Sequence, residues 1–214
     1  MIAKEALAVY LVTDDPSRYA GDFLDNVAAA VGGGVTVVQY RDTESSDRVK
    51  YTRALRLQNL LRARGVPLIM DNDVDLALAI GADGVHLGQS DLPADVVRRL
   101  VGPSMTIGLS ITCEADATTV SPESVDYVGI GPVYDATKTK ADAAPEMGLE
   151  GFAAIRKLLA DYPAVAIGGV TLERARGIVD AGADGLAVVS AFSRSATPAD
   201  VARGFAACFR SPVP

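Results

Sequence analysis

Along the chain, short runs rich in β-branched residues alternate with longer stretches in which apolar residues recur every three or four positions. A short apolar run bounded by glycine or polar residues fits a buried strand, and the longer spacing fits a helix with one buried face. The pattern predicts strands over residues 7–13, 36–40, 67–70, 84–87, 106–109, 127–131, 164–167 and 185–189. Between them, Ala54/Leu57/Leu61, Phe152/Ile155/Leu159, Leu172/Ala175/Ile178 and Val201/Phe205/Cys208 mark amphipathic helices, and Cys208 reads as core rather than chemistry.

The joints between helix and strand repeat. Gly81-Ala82-Asp83-Gly84-Val85 and Gly182-Ala183-Asp184-Gly185-Leu186 are near copies, and Gly33-Gly34-Val35 resembles them. Such glycines suit left-handed helix C-caps that lead into the next strand. Eight units of about 27 residues each predict an α/β protein of the (β/α)8 TIM-barrel class, with residues 1–214 as one domain. The long connection 132–148 exceeds an ordinary βα loop and is expected to be a functional flap.

Composition narrows the function. A chain of 214 residues that is 49% hydrophobic can bury one sizeable core, and a formal net charge of −7 opposes nucleic acid or an anionic membrane as a general partner. The two cysteines, Cys113 and Cys208, lack CxxC spacing, and Lys4 and Glu5 fall where a signal peptide would be apolar, so a cytoplasmic location is expected. No apolar run approaches the roughly 18 residues that span a bilayer.

Barrel enzymes carry their chemistry at the C-terminal ends of the strands. The polar residues collected there are Gln39 and Arg41, then Asp71, Asn72 and Asp73, then Gln89 and Asp91, then Ser110. Thr137, Thr139 and Lys140 follow in the long loop. The last two strands end in the small-residue loops Ile167-Gly168-Gly169-Val170-Thr171 and Val188-Val189-Ser190-Ala191, each opening a helix. Glycine permits close backbone approach, and a helix N-terminus offers N–H groups to an anion, so a phosphorylated small molecule is expected. Carboxylates, one Arg, one Lys and hydroxyls on one rim suit a phosphate or pyrophosphate with a hard cation such as Mg2+. Zn2+ would want His or Cys, and the single histidine, His86, reads as a hydrogen-bonded barrel-interior residue.

These segments carry a resemblance to a family. Tyr10-Leu11-Val12-Thr13-Asp14, Val38-Gln39-Tyr40-Arg41-Asp42, the stretch 81–91, Val128-Gly129-Ile130-Gly131-Pro132, Thr137-Lys138-Thr139-Lys140, the stretch 166–171 and the stretch 182–190 resemble thiamine phosphate synthases in sequence and in order. The family joins hydroxymethylpyrimidine diphosphate to hydroxyethylthiazole phosphate, giving thiamine phosphate and pyrophosphate. The resemblance implies Mg2+ as cofactor and Asp91 and Asn72 at the metal position, although Asp91 could instead cap the helix starting near Leu92-Pro93. It implies Arg41 and Lys140 as catalytic groups on the leaving phosphates. Gln39, Arg41, Asp71, Ser110, Thr137, Thr139, Lys140, Gly169, Val189 and Ser190 are the implied substrate contacts.

Three departures from the family pattern stand out. Thr43 occupies the place of a lysine, Asp71-Asn72 replaces an Asn-Asp pair, and the Thr-Lys-Thr-Lys segment needs one extra residue after Pro132 to align. A unit charge pair at about 4 Å is worth roughly 4 kcal/mol before desolvation at an effective dielectric near 20, so the missing lysine matters. Lys138 or Arg48 could compensate, and Asp71 or Asp73 could supply the missing carboxylate. These changes keep open a relative that binds thiazole or thiamine phosphate in a regulatory or tautomerase-like role without forming the bond. An unrelated sugar-phosphate isomerase would need an acid/base pair that the sequence does not display.

Overall fold

The computed structural model describes residues 3–137 and 144–210. Eight parallel strands close into a barrel in sequence order: β1 Val9–Val12, β2 Val37–Tyr40, β3 Leu68–Asp71, β4 Gly84–Leu87, β5 Thr106–Ile111, β6 Tyr127–Ile130, β7 Ala164–Ile167 and β8 Gly185–Val188. Every run expected from the sequence is a strand. The first differs at its start, because Lys4–Leu7 forms a 3-10 turn and β1 begins only at Val9. Leu7 is fully buried with the barrel interior, and its carbonyl passes so close to Gly185 that a Cβ there would sit 2.0 Å away.

Strand alternation divides the apolar residues into two cores. Tyr10, Val12, Val37, Ile69, Tyr127, Val165 and Ala187 fill the inside of the barrel with Leu7. Their neighbours in sequence, among them Val9, Leu11, Val38, Leu68, Val85, Ile107 and Leu186, face outward into the layer of helices. That layer comprises α1 Phe23–Gly33, α2 Asp47–Arg62, α3 Val74–Ile80, α4 Ala94–Val101, α5 Glu114–Ala117, α6 Gly148–Leu158, α7 Leu172–Asp180, the single turn α8 Ser190–Ser193, and α9 Pro198–Ala207. Ala54, Leu57 and Leu61 of α2 are buried, as are Phe152 and Ile155 of α6 with Leu159 just beyond it. The stripe on α7 begins one turn late: Ala175 and Ile178 are buried, whereas Leu172 is 45% exposed and lies over Gly204 of α9. On α9 the fully buried positions are Ala202 and Phe205, with Val201 and Cys208 packed half-buried at the edge of the same core. Among the described residues no helix is long and apolar enough to cross a membrane.

The repeated joint has a structural explanation. Gly81 caps α3 in the left-handed conformation (φ 65°), and two residues later Asp83 Oδ2 accepts the Leu68 N–H at the start of the preceding strand, at 2.9 Å. Asp184 does the same for Ala164 at 2.9 Å, and Asp126 for Ile107 at 2.8 Å. Asp126 and Asp184 are held in turn by Arg98 (2.6 Å) and Arg156 (3.1 Å). The Asp of the joint thus satisfies a donor at the bottom rim, where the ladder has run out of partners.

Candidate active site

At the other rim, the C-terminal ends of the strands surround a cavity of about 1000 Å³. Inward parity puts Gln39 and Arg41 there from β2, Asp71 from β3, His86 from β4 and Ser110 from β5. Asn72, Asp91, Gly169, Val189 and Ser190 line the same space, so these ten residues share one mouth. Ile167, Ala187 and Val12 give part of the floor an apolar surface.

Arg41 Nε lies 3.6 Å from Asp71 Oδ2, an ion pair that is only partly solvated. The Arg41 backbone N–H donates to Thr13 Oγ1 at 2.8 Å, and that hydroxyl donates back to the Arg41 carbonyl at 2.9 Å, which fixes the strand end carrying the guanidinium. Asp73 points away from this pair and bonds Lys50 at 3.0 Å.

Asn72 is the one described non-glycine residue with positive φ, 62°. This places its amide beside Asp91: with the amide oriented to donate, Nδ2 lies 2.8 Å from Asp91 Oδ2 and 3.2 Å from the His86 carbonyl. Asp91 Oδ2 also accepts the Gly88 N–H at 2.6 Å. Asp91 does not cap α4, whose N-cap position is Pro93. Among the described residues no group of three or more His, Cys, Asp or Glu side chains is placed to hold a metal ion. The Asn72 and Asp91 heads can offer two oxygens, a donor set that suits a cation taking its other ligands from phosphate and water.

The two small-residue loops face this arc. Gly168 and Gly169 both have positive φ, 96° and 60°. A Cβ on Gly169 would lie 2.6 Å from Tyr134 Cβ and 3.0 Å from the Asp135 carbonyl, so only glycine fits. Arg174 Nη1 donates to the Gly169 carbonyl at 2.9 Å while its guanidinium stacks 4.2 Å from the Tyr134 ring centre. In the next loop, the first-turn amides of Ser190 and Ala191 lack intrahelical acceptors by position.

Thr137 is exposed, gives both its N–H and its hydroxyl to Asp135 Oδ1, and does not line the cavity. Thr139 and Lys140, with Lys138, lie outside the described residues. Thr43 lines the cavity where the family pattern has lysine, and Arg48 does not. Reading only the residues next to each strand end missed Arg18, Arg174 and Arg194, which also line it. Arg18 bonds the buried Asp14 at 3.3 Å, and Asp14 in turn accepts the Ser193 hydroxyl at 3.2 Å. Their signal was weak because each sits several residues beyond its strand.

His86 is 8% exposed, with its ring between Tyr127 and Ser110 as a hydrogen-bonded interior residue. Burial pushes the Tyr10 and Tyr127 phenols far above their ordinary range, so both remain O–H groups.

A closed parallel barrel with a mixed-charge cavity and two small-residue loops at its C-terminal mouth defines the class, a (β/α)8 barrel with a small-molecule cavity. The model of the thiamine monophosphate synthase family matches residues 9–192, and the chain belongs to that family. It is 46% identical over 199 residues to a thiamine-phosphate synthase from Azorhizobium caulinodans, covering 92% of each chain. It is 45% identical over 194 residues to one from Albidiferax ferrireducens, covering 91% of this chain and 88% of that one. The solved thiamine phosphate pyrophosphorylase from Pyrococcus furiosus superposes with a TM-score of 0.84 at 31% identity, covering 96% of both chains.

Proposed function

We propose that the protein condenses hydroxymethylpyrimidine diphosphate with hydroxyethylthiazole phosphate, releasing pyrophosphate and forming thiamine phosphate, with Mg2+ as cofactor. One observation carries this reading: in a chain of this family, Gln39, Arg41, Asn72, Asp91 and Ser110 share a single cavity with Gly169 and Ser190.

The mouth divides by chemistry. Gln39, Arg41, Asp71 and Ser110 suit a polar heterocycle bearing a diphosphate, and the Gly169, Val189 and Ser190 backbone suits a phosphate monoester. The family pattern would assign Thr137 and Thr139 to the thiazole and Lys140 to the pyrophosphate, and for Thr137 that role requires it to leave Asp135. The bond between the pyrimidine methylene carbon and the diphosphate oxygen breaks, and its electron pair leaves with pyrophosphate. The thiazole nitrogen lone pair then forms the new carbon–nitrogen bond. Arg41 and Lys140 would act on the charge that gathers on the leaving group, where stabilisation counts most toward rate. Asp91 and Asn72 would hold Mg2+, which when bound supplies positive charge to the diphosphate oxygens. The apolar floor at Val12, Ile167 and Ala187 would keep water from the methylene cation.

The second reading, a regulatory or tautomerase-like relative, draws only on Thr43, Asp71-Asn72 and the shifted Thr-Lys-Thr-Lys segment. Identity of 45–46% to synthases across about nine-tenths of the chain favours bond formation. Expression in a bacterial strain deleted for its thiamine phosphate synthase tests the proposal. Growth without added thiamine supports it, and soluble expression without growth opposes it.

A further inference from the structure

Five polar side chains cross the barrel interior in an unbroken series. Gln39 Nε2 donates to the Tyr10 hydroxyl at 3.1 Å, and the Tyr10 and Tyr127 hydroxyls are 2.7 Å apart. The Tyr127 hydroxyl lies 2.9 Å from His86 Nδ1, and His86 Nε2 lies 3.0 Å from Ser110 Oγ. Both ends, Gln39 and Ser110, open on the cavity, while Tyr10 and Tyr127 are 1% and 0% exposed. Space for the turn of the series is made by glycine: a Cβ on Gly108 would lie 2.3 Å from Tyr127 Cζ and 2.4 Å from His86 Nδ1.

The sense of the whole series follows from one end. An amide nitrogen only donates, so Tyr10 accepts from Gln39, and the Tyr10 proton finds its acceptor in Tyr127. With Gln39 presenting its nitrogen to Tyr10, the opposite sense would bury that proton without an acceptor among the described residues, an arrangement proteins avoid; turning the amide over would reverse every donor in the series, and the tautomer of His86 distinguishes the two senses. Tyr127 therefore donates to His86 Nδ1, which leaves the ring proton on Nε2 to be donated to Ser110. Ser110 is then left with its own O–H as a donor toward the cavity, and Gln39 with its Oε1 as an acceptor. Burial raises both phenols far enough that neither ionises to interrupt the order.

We propose that Tyr10, Tyr127 and His86 are positioning residues that set the hydrogen-bond sense at Gln39 and Ser110, so that the cavity reads a planar amino-substituted nitrogen heterocycle. An amino group would donate to Gln39 Oε1 and a ring nitrogen would accept from Ser110. The choice of heterocycle rests on the proposed function, whose first substrate is an aminopyrimidine. His86 is not the acceptor of a substrate proton in this arrangement, because its Nδ1 lone pair is taken by Tyr127.

The chain holds one histidine, so ¹⁵N–¹H two-bond correlation spectra of the labelled protein report His86 without assignment. The expected wild-type pattern is Nε2–H with unprotonated Nδ1, and Tyr127→Phe should disperse it toward a mixture of tautomers. By titration calorimetry, Tyr127→Phe and Tyr10→Phe should each weaken hydroxymethylpyrimidine diphosphate about tenfold while changing thiazole phosphate affinity less than twofold. A wild-type ring carrying its proton on Nδ1 overturns the proposal, and so do affinities for both ligands that fall together or not at all. If either variant fails to fold, the wild-type spectrum still decides the sense. Neither readout needs turnover, so a chain that makes no thiamine phosphate would sink the proposed reaction and leave the relay to be judged on the spectrum.

Discussion

Arg41 and Asp71 form an ion pair across adjacent strands, Nε to Oδ2 at 3.6 Å, with each side chain only about one-fifth exposed. The carboxylate orients the guanidinium at the lip of the cavity before any anion arrives. It also accounts for one departure from the family pattern, since aspartate at 71 can pair with Arg41 where the family's asparagine could not.

Arg41→Ala should therefore both remove a phosphate contact and leave Asp71 without this partner. Truncating one member of a desolvated charge pair with a bound phosphate costs about 2–5 kcal/mol, so kcat/KM for the pyrimidine diphosphate should fall roughly thirtyfold or more. Arg41→Lys should recover only part of this, because a point charge cannot reproduce the planar fork. Steady-state kinetics with the diphosphate varied would check both, and a loss below fivefold in Arg41→Ala would remove Arg41 from the site.

Gly169 tests the second loop. Its φ of 60° and the 2.6 Å approach of Tyr134 Cβ leave no room for a side chain, so Gly169→Val should raise the thiazole phosphate KM at least tenfold. Strain of about 1–3 kcal/mol should lower the melting temperature by several degrees with the fold retained by circular dichroism. A folded variant with unaltered thiazole phosphate affinity would count against a phosphate at this loop.

Asn72 supplies an amide where the family pattern has a carboxylate, 2.8 Å from Asp91. Activity should vanish with EDTA and return with Mg2+. Asn72→Asp should lower the Mg2+ concentration for half-maximal activity about tenfold, equivalent to roughly 1.4 kcal/mol, because a second carboxylate joins the donor set. Metal titrations of the two proteins would show it, and activity indifferent to EDTA would dismiss the metal.

At the opposite rim, Asp184 accepts the Ala164 N–H and pairs with Arg156, far from any chemistry. Asp184→Ala should cost about 2–3 kcal/mol and lower the melting temperature by roughly 4–12 °C. Turnover at 25 °C should change less than twofold, and a large kinetic effect without a thermal one would contradict the structural role.

Much of this was legible in the sequence for physical reasons. The β-branched runs could only be buried strands at that length, and the Gly81 and Gly182 joints announced where each helix ended. Their places at the C-terminal ends of successive strands put Gln39, Arg41, Asp71 and Ser110 at one mouth once the strands are drawn. What escaped was whatever depends on contacts between distant strands. The sequence gives Tyr10 and Tyr127 no role beyond their strands, because nothing local shows that their hydroxyls meet at 2.7 Å. The sequence alone allows Asp91 to cap a helix; in the fold Pro93 takes the N-cap position of α4 and Asn72 lies against Asp91. Leu172 was misplaced on the buried stripe because the first turn of α7 projects past the core onto Gly204. Lys138 or Arg48 could replace the charge lost at Thr43 as far as the sequence goes, yet the further arginines at the mouth, Arg18, Arg174 and Arg194, come from the segments that follow β1, β7 and β8.

The proposed reaction joins two phosphorylated heterocycles through a new carbon–nitrogen bond. The most direct measurement incubates the purified protein with hydroxymethylpyrimidine diphosphate, hydroxyethylthiazole phosphate and Mg2+, and follows thiamine phosphate by mass spectrometry and pyrophosphate by a coupled assay. Both products should form in equal amounts, and neither when one substrate is omitted. Binding of thiazole phosphate with no thiamine phosphate formed would contradict it and leave a phosphate-binding barrel without the synthase reaction.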